Sequence, residues 1–60
     1  MTAEGWLLVA PGDMVKVIMR GTHRAGWVEV IEVAGNKMVV ETPDGIAEVE
    51  QREVDGWRPA

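Results

Sequence analysis

Sixty residues with no cysteine, three tryptophans as the only aromatic residues and a formal net charge of −4 describe one small domain with no disulfide and no thiolate metal site. A chain of this size buries only about 60% of its unfolded surface, so it stands at the limit of folding alone, and with disulfides and thiolate metal sites excluded, self-association moves up among the remaining aids. The hydrophobic fraction of 47% is too high for disorder, and the acidic balance opposes binding dominated by phosphate contacts.

The chain opens with Met1 to Ala10, where the apolar run Trp6 to Ala10 is too short for a signal peptide or a membrane span and no early Lys or Arg precedes it. A cytoplasmic placement is the expectation. Residues 1–10 are read as an additional strand or a partner-contacting segment. Leu7, Leu8 and Val9 are consecutive, so alternation cannot bury all three, and at least one is left for solvent or an oligomer contact.

After Pro11-Gly12, a first strand is predicted over Met14 to Arg20, with Val15, Val17 and Met19 on one face and Lys16, Ile18 and Arg20 on the other. A basic loop, Gly21 to Gly26, follows. The second strand, Trp27 to Val33, changes phase: Val28 and Val30 share one face, Ile31 and Val33 the opposite one. A β-bulge between Val30 and Ile31 brings all four inward and bends the strand as a barrel corner does. Gly35-Asn36 is a two-residue hairpin turn leading to a strand over Lys37 to Thr42. Thr42-Pro43-Asp44-Gly45 makes the next turn, with proline suited to its first corner, before a fourth strand over Ile46 to Glu50. Gln51 to Val54 is predicted as one helical turn and Gly56 to Arg58 as a last strand. The sum is an all-β chain, a small five-stranded SH3-like barrel with a short helical turn before the last strand, forming a single domain over 1–60. An open five-stranded sheet paired with a second copy is the alternative.

The pattern Gly12-Asp13-x-Val15-x-Val17, then Gly21, then Gly26-x-Val28-x-x-Ile31-x-Val33, resembles the KOW motif and related SH3-like barrels of ribosomal and transcription-associated proteins. It covers about a third of the chain, or half with Val39, Val40 and Glu41 counted. The resemblance implies binding of RNA, ribosomal components or RNA polymerase through the loops at one barrel end, here Gly21 to Gly26.

Catalysis fails by inventory. With no Ser, Cys or Tyr, one His and three Thr without a neighbouring base, no nucleophile, base and orienter can be assembled in one chain. No cofactor, metal or enzymatic activity is expected. His23 is read as a solvated loop residue, or as a ligand only where copies meet at a symmetry axis. If Val28 and Val30 point inward, Trp27 points outward beside Arg20, His23 and Arg24, a composition typical of the centre of a protein interface. Alternatively Trp27 plugs a barrel end. Trp57 is expected to pack on Trp6 and tie the chain ends. The expected role is a non-enzymatic interaction module that binds a protein partner or itself through Arg20, His23, Arg24 and Trp27. A KOW-like RNA or ribonucleoprotein module is one alternative. Another is an assembly subunit of a larger complex that uses Leu7 to Val9 and the acidic second half, which holds the whole charge excess.

Overall fold

The computed structural model describes residues 1–19 and 24–60. The elements are a helix α1 (Ala3–Leu8), strands β1 (Met14–Met19), β2 (Arg24–Ala34), β3 (Lys37–Thr42) and β4 (Gly45–Glu50), a 3-10 turn (Gln51–Glu53) and β5 (Val54–Arg58). They form one antiparallel sheet in the order β4-β3-β2-β1-β5. The all-β reading and the helical turn before the last strand hold. Among the described residues no ladder joins β4 to β5.

Period-two alternation builds the core from the inner phase of each strand. Val15 and Val17 of β1, Val28 and Val30 of β2, Met38 and Val40 of β3, Val49 of β4 and Val54 of β5 are buried. Registry ties them together, with Val15 opposite Val28 and Val30 opposite Val40. The β2–β3 register shifts between Val30 and Glu32, which places a bulge where the valine phases conflict. One part of that expectation is corrected: Ile31, the extra residue, is exposed, and only Val33 returns to pack against the core. A bulge reverses the phase of the residues after it, while the inserted residue itself is free to point out.

Two strand starts also move by more than one residue. The second strand starts at Arg24, where Val17 to Met19 pair with Gly26 to Arg24, so the ladder extends into what reads as a Gly-rich loop. The last strand starts at Val54, directly after the 3-10 turn, whose capping box joins Glu50 and Glu53. Gly45 closes the β3–β4 hairpin at φ +119°, a conformation that side chains other than glycine rarely adopt.

The first ten residues are corrected outright: α1 is a helix, not a strand. Thr2 caps it by accepting from the Gly5 amide (3.1 Å), Glu4 lies in its positive first turn, and Ala3 and the two leucines are good helix formers. The three-residue spacing of Trp6 and Val9 then places both in the core, and the Trp6 indole donates to the Gly35 carbonyl (2.9 Å). Met1 anchors the other end, donating from its amino group to Val54 and accepting from the Gln51 side chain at its carbonyl.

Candidate interaction surface

Trp6 and Val9 are buried, and the residues between them are turned outward. Leu7 is 82% exposed and Leu8 66%. Of the three residues expected as oligomer contacts, Val9 is therefore withdrawn, because the helical turn commits it to the core. The two leucines sit on an element held by a side-chain cap, an indole hydrogen bond and the Met1 contacts. They are presented by a fixed support.

Trp27 lies on the outer face of the sheet and is not an end plug. It is 36% exposed, and its position opposite Lys16, which in turn faces Gly56, lets the indole reach across β1 onto β5. A Cβ on Gly56 would stand 3.0 Å from the far carbon of the indole six-membered ring and 3.3 Å from the Lys16 Cβ. Among the described residues the cation over the ring is that of Arg58, whose guanidinium carbon lies 4.0 Å from the ring centroid. Arg20 and His23 lie outside the described residues, as does the Arg24 side chain. The outer face continues from Arg58 through Met14, Glu29 and Glu41 to Ile46, in register across all five strands. Glu29 and Glu41 face each other directly, and among the described residues the one salt bridge is Arg52 to Glu50 at 3.6 Å.

Asp13 is the functional-looking group that pattern reading misses. It is the one buried charged residue among those described, and its carboxylate accepts from the Ala10 amide (2.9 Å), the Trp57 indole (3.0 Å) and the Ala60 amide (2.9 Å). These donors, the Ala10 amide first and then Trp57 and Ala60, hold the carboxyl below the usual range against an opposing desolvation. Its backbone carbonyl also accepts from Val30. Both carboxylate oxygens take donors in joining the turn before β1 to the end of β5, so Asp13 is a structural clamp. Trp57 is half-buried against the core with its indole N–H on Asp13, and the expected tie between chain ends runs through Asp13 and Met1. The sequence marks Asp13 only as a turn residue, since its partners stand 44 and 47 positions away.

Among the described residues no group of His, Asp and Glu is arranged to hold a metal ion. None of the described helices is long and apolar enough to cross a membrane. Comparison with protein-family models, with curated proteins and with solved structures finds no match.

Proposed function

We propose that the chain is a non-enzymatic interaction module on a small SH3-like barrel, placed in the cytoplasm, that associates with itself or with a protein partner. The observation that carries this is the pair Leu7 and Leu8, 82% and 66% exposed on a helix whose neighbouring Trp6 is locked into the core. Adjacent exposed leucines on a rigid support cost solvation in the free chain and gain it back when covered. The barrel reading is supported by the strand order, by the bulge in β2 and by the 3-10 turn that carries the chain across to β5.

Sedimentation equilibrium tests this. The wild-type mass is expected to rise above 6.6 kDa with concentration and to stay at the monomer value in a Leu7→Ser, Leu8→Ser double variant with the same thermal midpoint. A wild-type monomer at every concentration overturns self-association and leaves a partner protein. A double variant that associates as the wild type does overturns the surface.

The runner-up is a KOW-like RNA module, favoured by one observation: Arg58 stacks on Trp27 and Lys16 stands beside it, a cation and aromatic pairing of the kind single-strand binders use. RNA affinity carried by phosphates falls steeply as salt rises, whereas contacts through leucines do not.

A further inference from the structure

We propose that the free edge of β4 is a strand-addition site that takes an extended segment of another protein, with Lys or Arg on its outward side. This site is separate from the leucines of α1 and goes beyond the function proposed for them.

β4 pairs on one side with β3, in an unbroken register from Thr42 opposite Gly45 to Lys37 opposite Glu50. A two-residue hairpin makes its flanking pair, here Thr42 and Gly45, hydrogen-bonded, and the alternation of an antiparallel ladder then turns Gly45, Ala47 and Val49 toward β3. Ile46, Glu48 and Glu50 turn their backbone groups to the free edge. Glu50 agrees with this, because its amide is taken outside the ladder by the Glu53 carboxylate at 3.0 Å. Among the described residues nothing bonds the backbone N–H or C=O of Ile46 or Glu48 from the open side. Four polar groups thus point outward from an unbroken strand, spaced for another strand.

Edges of this kind are usually blunted by charged side chains, lysine above all, or by proline, a bulge or an inward charge. The opposite edge shows such devices: β5 shifts register against β1 between Lys16 and Val17 and is followed at once by Pro59. β4 has no lysine, no proline and no bulge, and Ile46 is 63% exposed; its only charges are Glu48 and Glu50, which repel an acidic strand and admit a cationic one. Of the two edge strands, β4 is the one with an unbroken ladder and no proline at its end.

Charge selects the occupant. Glu48 and Ile46 lie on the outer face beside Glu41, which is opposite Ile46, and Glu29 stands one strand further. An incoming strand with cations on that face meets carboxylates, and on the inner side it meets half-buried Ala47. A second β4 is disfavoured, since it brings two more glutamates on that face to a chain of net charge −4.

The test uses the whole chain, labelled with 15N, and a blocked synthetic peptide of alternating valine and lysine, with valine and glutamate as its counterpart. The expected result is that the lysine peptide shifts the Ile46 and Glu48 amide resonances and slows their exchange, while the glutamate peptide does neither. Glu48→Pro removes an edge N–H but no ladder bond and is expected to abolish binding. Glu48→Lys, at an exposed position that does not endanger folding, is expected to weaken it about tenfold at low salt. Shifts confined to α1 or to Trp27, equal binding of both peptides, or unchanged affinity in Glu48→Lys would each overturn the proposal.

Discussion

Asp13 and Gly56 are the two residues whose neighbours decide most. The Asp13 carboxylate has two acceptor atoms for three donors, and an asparagine in its place would offer one oxygen and an NH₂ group facing an N–H. Asp13→Asn is therefore expected to lower the urea midpoint at pH 7. Because the folded carboxyl titrates below the ordinary ~3.9, its contribution is fully present above that value and is lost as pH falls through the lower, folded-state value. The wild type is then expected to lose stability more steeply than Asp13→Asn in acid, measured by urea denaturation across that range. Equal slopes would mean the carboxylate is not held as described. Gly56 gives a sign reversal instead. Replacing a strand glycine by alanine ordinarily gains about 0.5–1 kcal/mol. Here the new methyl meets the Trp27 ring at 3.0 Å with Arg58 against that ring, so Gly56→Ala is expected to cost about 1–3 kcal/mol. In a Trp27→Ala background the same change becomes neutral or stabilising, and a double-mutant cycle reads the difference. Neither contact is legible in the sequence, because both depend on the β1–β5 register, which no local pattern encodes.

The elements divide by how much of their burial pattern is local. β3 matches Lys37 to Thr42 as read, and β4 differs by one residue, because two-residue turns bracket a clear alternation. The bulge in β2 is legible as a phase conflict among valines, but not the outward fate of Ile31. α1 is where local reading fails: four consecutive apolar residues, Trp6 to Val9, have neither a strand nor a helix period, and Gly5 lowers helix propensity. The capping hydroxyl of Thr2 and the fit of Trp6 under the β2–β3 turn decide for a helix. The two faces of this one turn should respond in opposite ways. Trp6→Ala removes a buried aromatic and its hydrogen bond, at about 3–5 kcal/mol, which is enough to unfold a chain of this size at 25 °C. Leu7→Ala, one position on, is expected to stay within about 0.5 kcal/mol in the monomer, as measured by circular dichroism during thermal unfolding. A comparable loss in both would mean that α1 packs with its leucines inward.

At the scale of the molecule the charges are arranged against the fold they decorate. The excess of acid falls in the second half of the chain, and registry brings part of it onto the outer face of β2, β3 and β4, where Glu29 and Glu41 oppose each other directly. Like charges in that position destabilise a strand pair by roughly 0.2–1 kcal/mol, and the one ion pair among the described residues, Arg52 to Glu50, is exposed and worth little. Repulsion therefore outweighs attraction, and salt should relieve more repulsion than it weakens attraction. The thermal midpoint is expected to rise from low salt to about 0.5 M NaCl, where the Debye length falls below that at physiological strength. Glu41→Lys converts the opposed pair into an attractive one. It should raise stability by about 0.5–1 kcal/mol at low salt and flatten the salt dependence. A midpoint that falls with salt would mean that ion pairs dominate the fold. If the midpoint rises and Glu41→Lys leaves the slope untouched, the repulsion lies elsewhere among the acidic residues. A chain that keeps such repulsion on an accessible face, beside an unblocked strand edge, retains there a free energy that a cationic partner would release on binding.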